Sequence, residues 1–117
     1  MRVLLDENLD QALRSLLGPQ EVMTAAYMGW AGLENGDLLR AAENNRFDVL
    51  VTGDQSLRYE QDLSARTLAI VVLSAIQLPI LKKSIAKIVA AIDNAHPGSF
   101  QTVDCGTFTR KPTSPKD

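Results

Sequence analysis

The chain has 117 residues and a formal charge of −2, from 12 Lys+Arg against 14 Asp+Glu, with 45% apolar and 22% charged residues. That length suits one compact domain, and the near-neutral balance excludes a strong basic field for nucleic acid. The single cysteine, Cys105, excludes an internal disulfide framework and a Cys-rich zinc site, and fits a reducing, cytoplasmic setting. No apolar stretch reaches the ~18–20 residues of a membrane span, and MRVLLDENLD turns charged too early for a signal-peptide core.

Val3-Leu4-Leu5 reads as a short buried strand closed by a carboxylate. Leu9, Ala12, Leu13, Leu16 and Leu17 then recur at helical spacing, and Gly18-Pro19 ends that helix. Glu21 to Ala26 (EVMTAA) reads as a second strand. The stretch Gly29-Trp30-Ala31-Gly32 is a loop with the only tryptophan. A helix is expected from Asn35 to Asn45, with Leu38, Leu39, Ala41 and Ala42 inward. Phe47 to Thr52 (FDVLVT) is the clearest strand and stops at Gly53-Asp54, after which Gln55 to Leu63 reads as helical or irregular. Ala69 to Leu73 (AIVVL) is a further apolar strand. Pro79 opens a helix that buries Ile80, Leu81, Ile85, Ile88, Val89 and Ile92 and closes near His96-Pro97-Gly98. Phe100 to Thr109 reads as a last strand at a sheet edge. The expected domain is 1–110, with a disordered tail at 111–117 that carries Pro112 and Pro115.

Apolar strands alternating with helices predict an α/β fold, with a parallel sheet covered on both faces. Ligands of such sheets sit beyond the carboxyl ends of the strands, near the switch in strand order. Two strand ends here carry acids, Asp6-Glu7-Asn8 and Thr52-Gly53-Asp54, and Asp37 stands in the first turn of a helix. Carboxylates brought together repel unless a cation lies between them, and oxygen ligands suit Mg²⁺ or Mn²⁺. Such an ion activates water and neutralises charge on a phosphate. A plainer reading stands beside this one. Asp6 or Asn8 can cap the first helix, Asp54 the segment after its strand, and Asp37 can answer the helix dipole. His96 reads as a helix C-terminal cap, Cys105 as a packed small hydrophobe, and Asp48 and Asp62 as solvated. The scattered Arg and Lys residues read as a solvated surface, or as a phosphate track once folded. A serine hydrolase and a dinucleotide-binding site lack their motifs.

Taken in order, MRVLLDENLD, NGDLLRAAE and FDVLVTGDQSL resemble the short PIN-like proteins, over Met1 to about Leu73. The resemblance implies a three-layer α/β/α fold with a mainly parallel sheet and a metal-dependent endoribonuclease. It places the family's metal-binding, catalytic acids on Asp6, Asp37 and Asp54. Asn8 and Thr52 would be supporting residues, through D-x-N and T-x-D patterns, and Asn35 would shape the turn presenting Asp37. It further implies an RNA substrate, a homodimer and, if the protein is the toxin of a toxin–antitoxin pair, an antitoxin partner. The chain departs from the family pattern in one respect: Gln55, Ser56 and Leu57 follow Asp54 where a fourth acid is usual, leaving Glu60 or Asp62 as substitutes. That departure motivates an alternative, a PIN-like scaffold acting as a binding module, with Tyr27, Met28 and Trp30 as interface or packing residues. A phosphoesterase acting on DNA or a nucleotide is the third reading.

Overall fold

Strands apolar along both sides need cover on both, and the middle of this sheet is built from such strands. The computed structural model describes residues 1–18, 20–57 and 66–106. Strands β1 (Arg2–Leu5), β2 (Glu21–Thr24), β3 (Val49–Thr52), β4 (Ala69–Leu73) and β5 (Phe100–Val103) form one sheet in the order β2-β1-β3-β4-β5. Every pairing is parallel, with Val3 opposite both Val22 and Val49, Val51 opposite Val71, and Leu73 opposite Val103. The protein is thus an α/β fold.

Alternate strand residues enter two separate cores. Val3, Leu5, Val49, Val51 and Val71 face one cluster, whereas Leu4, Leu50, Ile70 and Val72 face the other. The first cluster is completed by Leu13 of a 3₁₀ helix (Gln11–Leu16), Leu81 of α2 (Leu78–Lys82) and Ile88 and Ile92 of α3 (Ile85–Asp93). The second is completed by Leu38, Leu39 and Ala42 of α1 (Asn35–Asn44), with Phe47. Among the described residues no helix is long and apolar enough to cross a membrane.

Several elements differ from the sequence reading. The α-helix expected over Leu9–Leu17 is a 3₁₀ helix that starts two residues later, because the Asp10 side chain accepts the Ala12 N–H and caps it there. Too few residues then remain before Gly18 (φ +79°) for a settled i→i−4 ladder. Leu9, Leu13 and Leu17 are buried all the same. Strand β2 stops at Thr24, since Ala25 and Ala26 enter a turn in which Trp30 N–H reaches Ala25 O at 2.8 Å. The single helix expected from Pro79 to His96 is two, α2 and α3. At the break Lys83 and Ser84 donate to Ile80 and Leu81 carbonyls, and the buried Ser84 hydroxyl turns to Cys105 O at 3.4 Å. Asn94 caps α3, so His96 lies past its end, bonded to Ser99. Strand β5 is at the edge as expected but ends at Val103. The remainder of that expected strand after Gly106, the tail at 111–117, Asp62 and most of the Gln55–Leu63 segment lie outside the described residues.

One further tie fixes where the chain enters β4. Glu43, near the end of α1, accepts from Arg66 (2.8 Å) and from the backbone N–H groups of Thr67 (3.0 Å) and Leu68 (3.3 Å). Burial pushes its carboxyl up, but the Arg66 guanidinium and these N–H groups prevail and hold it below the ordinary carboxylate value.

Leu50 sits in the central strand and is 1% exposed. Leu50→Ala is expected to remove about 2–5 kcal/mol of unfolding free energy, measured by urea titration, with the sheet otherwise unchanged by circular dichroism.

Candidate active site at the sheet switch point

The strand order reverses between β1 and β3, and the residues following those strands meet there. Asp6 continues the ladder, its N–H donating to Val51 O at 2.9 Å. This puts Asp6 beside Thr52, which closes β3, and the Thr52 hydroxyl donates to Asp6 Oδ2 at 2.7 Å. The same hydroxyl oxygen accepts the Asp54 N–H at 3.0 Å and Asn8 Nδ2 at 3.5 Å. Asn8 Oδ1 in turn accepts the Gly53 N–H at 3.2 Å. Thr52 is fully buried and Asp6 is 9% exposed.

Asp54 is held from its other side. Its Oδ1 accepts the Ser56 N–H at 2.9 Å and the Ser56 hydroxyl at 2.6 Å, and its Oδ2 accepts Asn35 Nδ2 at 3.0 Å. The Ser56 hydroxyl and then the Asn35 amide outweigh burial and hold the Asp54 carboxyl below its ordinary value. Asn35 thus bridges the start of α1 to the end of β3.

Of the six residues singled out, Asp6, Asn8, Thr52, Asp54 and Asn35 are joined in one hydrogen-bonded chain. Asp37 is not in it. It is half exposed in the first turn of α1 and is paired with Arg40, one turn along the same helix. The three-acid cluster expected from Asp6, Asp37 and Asp54 is therefore not assembled. Among the described residues no group of three or more His, Cys, Asp or Glu side chains is arranged to hold a metal ion. Glu60 and Asp62 lie outside the described residues. An exposed i,i+3 pair such as Asp37–Arg40 is worth at most about 1 kcal/mol.

The donor set itself is all hard oxygen: two carboxylates, two carboxamides and a hydroxyl. Mg²⁺ takes one or two carboxylates and keeps several waters; Asp6 and Asp54 are the two carboxylates of this chain of bonds, and each of their oxygens already accepts a hydrogen bond from the protein. The plainer capping roles divide. Asp54 does form an Asx turn onto Ser56, while Asp10, and neither Asp6 nor Asn8, caps the 3₁₀ helix.

Beside Asp6 a cavity of about 230 Å³ opens between the ends of β1 and β2, lined by Asp6, Glu7, Leu9, Gln11, Thr24 and Ala26. Glu7 forms part of its lining, and Glu7 Oε1 accepts the Gly32 N–H at 2.8 Å. On the other side, Gly53 lies under Ile76, and a Cβ there would come within 2.2 Å of Ile76 Cγ2. Gln55 Nε2 donates to Leu73 O at 2.5 Å, fastening the segment to the end of β4. The aromatic stretch splits in two. Trp30 packs edge-on against Phe47 (centroids 5.9 Å apart) and Met28 joins the same core, whereas Tyr27 is 70% exposed. Cys105 is buried, which pushes its thiol up, as suits a packed small side chain.

Ser56, Gln55 and Glu7 were not among the sequence candidates. Asp54-Gln55-Ser56 carries a local signal, since Asp before Ser two residues on is an Asx-turn pattern. The Glu7–Gly32 bond spans 25 residues and leaves no local trace. No family model, curated protein or solved structure matches the chain.

Two outcomes follow from this network. Thr52→Val leaves buried Asp6 and the Asp54 N–H without their shared partner, and is expected to cost about 1–3 kcal/mol in urea titration. The pH dependence has a definite sign. Folded Asp54 binds a proton less readily than the unfolded carboxyl at 3.8. It therefore contributes stability that is present above about pH 4 and lost as pH falls through its lower folded value. Ser56→Ala should shrink the stability difference between neutral and acidic pH, measured by thermal unfolding across that range.

Proposed function

We propose that the chain is a PIN-like, Mg²⁺- or Mn²⁺-dependent endoribonuclease acting at the β1–β3 switch point. The observation that carries this is the Thr52 hydroxyl at the carboxyl edge of a parallel sheet, which joins the Asp6 carboxylate to the backbone N–H of Asp54. Asp6 and Asp54 would hold the ion, and Asp37 would join them on leaving Arg40. When bound, the metal supplies an activated water and offsets charge on the phosphate.

The chain's own residues fix the geometry. Thr52 holds the Asp6 carboxylate by donating to Oδ2, while the Glu7 N–H holds Oδ1 at 2.7 Å. Asn35 and Ser56 keep Asp54 ionised and hold its carboxylate in place beside the end of β3. Single-stranded RNA would approach from the loop side of the sheet. A homodimer, a cytoplasmic setting and an antitoxin covering the acids belong to this same reading.

A second reading has an observation of its own. Each oxygen of Asp6 and Asp54 already accepts a hydrogen bond within the protein, and Asp37 has Arg40. A scaffold that binds a partner without cleaving RNA would have that pattern. The two readings separate in one experiment. Mn²⁺ titration by calorimetry and cleavage of a mixed-sequence RNA should both succeed with the parent protein. Asp6→Asn and Asp54→Asn should each lower cleavage by about 100-fold or more, the scale set by losing a group that holds the metal. Saturable partner binding with no Mn²⁺ uptake and no cleavage would establish the scaffold instead.

A further inference from the structure

We propose that the cavity between the ends of β1 and β2 is a base pocket that reads guanine, with Glu7 as its specificity-determining residue. This rests on the ribonuclease reading for its substrate class, since RNA is what would bring a base there.

Size comes first. At about 230 Å³ the cavity is smaller than the ~300–1,000 Å³ of drug-sized ligand sites, so it takes one ring system and not an oligonucleotide. Its lining sets the chemistry. Leu9 and Ala26 give apolar surface for a flat ring, while Asp6 and Glu7 present acceptors. An anion entering between two carboxylates is repelled, which disfavours phosphate in the pocket and favours a ligand that presents N–H donors.

Among the bases, guanine carries a ring N–H and an exocyclic amine side by side on its Watson–Crick edge, matching the two oxygens of one carboxylate. Asp6 is committed to Thr52 and to the acid site, which leaves Glu7. An exposed glutamate ordinarily samples many rotamers. Here Gly32, at φ +89°, offers its N–H to Oε1 and holds the carboxylate of this lining residue. A carboxylate oxygen has a second acceptor position, so this tether leaves both oxygens able to take a base edge.

The neighbouring chain supports a ring ligand. Thr24, a lining residue, accepts the Tyr27 N–H at 3.0 Å and so fixes the backbone of the turn. That turn ends in an aromatic side chain 70% exposed, next in sequence to the lining residue Ala26. Exposed aromatics beside a strand edge are the usual stacking surfaces for unpaired bases.

The test uses the full chain without metal and the four nucleosides guanosine, adenosine, cytidine and uridine, which carry no phosphate. Binding is followed through the Gly32 and Ala26 amide signals by NMR. Guanosine should shift both and bind about tenfold or more tighter than the others, the discrimination one bidentate pair supplies. Glu7→Gln, which replaces one carboxylate oxygen by an amide NH₂ donor opposite the donor edge, should abolish that preference. Ala26→Leu should weaken guanosine by filling the pocket while leaving every acid in place. Absence of binding, an equal response to all four nucleosides, or a guanosine preference that survives Glu7→Gln would each overturn the pocket. Failure of the two readings is distinguishable: guanosine binding without RNA cleavage removes the ribonuclease and leaves the pocket, and cleavage indifferent to base does the reverse.

Discussion

One hydroxyl organises the carboxyl edge of this sheet. Thr52 is buried at the end of β3, where its hydroxyl donates a hydrogen bond to the Asp6 carboxylate and accepts one from the Asp54 backbone N–H. That oxygen is what ties the chain leaving β1 to the chain leaving β3. Parallel pairing makes the arrangement possible, because β1 and β3 run side by side in register and end together. Adjacent strands lie about 4.8 Å apart, so the first residue beyond each is held within reach of its neighbour. The site is thus a direct consequence of the strand order.

Around this centre the acids are treated unequally. Asp6 is nearly buried and held by Thr52 and a backbone N–H. Asp54 is tied to α1 through Asn35 and to its own turn through Ser56. Asp37 stays on the outer part of its helix with Arg40. One carboxylate is buried, one is partly buried and the third is exposed. Two are already oriented, while the third is held by an ion pair that solvent screens.

Much of this was legible in the chain, for identifiable reasons. Val3-Leu4-Leu5, Val49-Leu50-Val51 and AIVVL are short runs apolar at every position, the pattern of strands covered on both sides, so the parallel sheet was legible in local pattern. The acids at two strand ends were visible in the same way. That Asp6 and Thr52 are neighbours was not visible, since periodicity says nothing about which strands pair, and Thr52 holds the site by a bond across 46 positions. Helix boundaries were missed where a side chain decided them: Asp10 starts the 3₁₀ helix late, and the break at Ser84 depends on a carbonyl 21 residues away. The expectation for Asp37 placed it correctly on its helix but could not foresee that Arg40 would claim it.

Glu43 has a broader meaning for how this chain tolerates change. By grasping Arg66 and the N–H groups of Thr67 and Leu68, it anchors the point at which β4 begins to a helix that precedes β3. The start of β4 is thereby indexed to α1, through one carboxylate that takes up two successive backbone N–H groups of the entering chain. A helix on one face of the sheet thus sets where a strand begins, and a change at Glu43 would be felt in the alignment of β4 against β3 as much as in the helix that carries it.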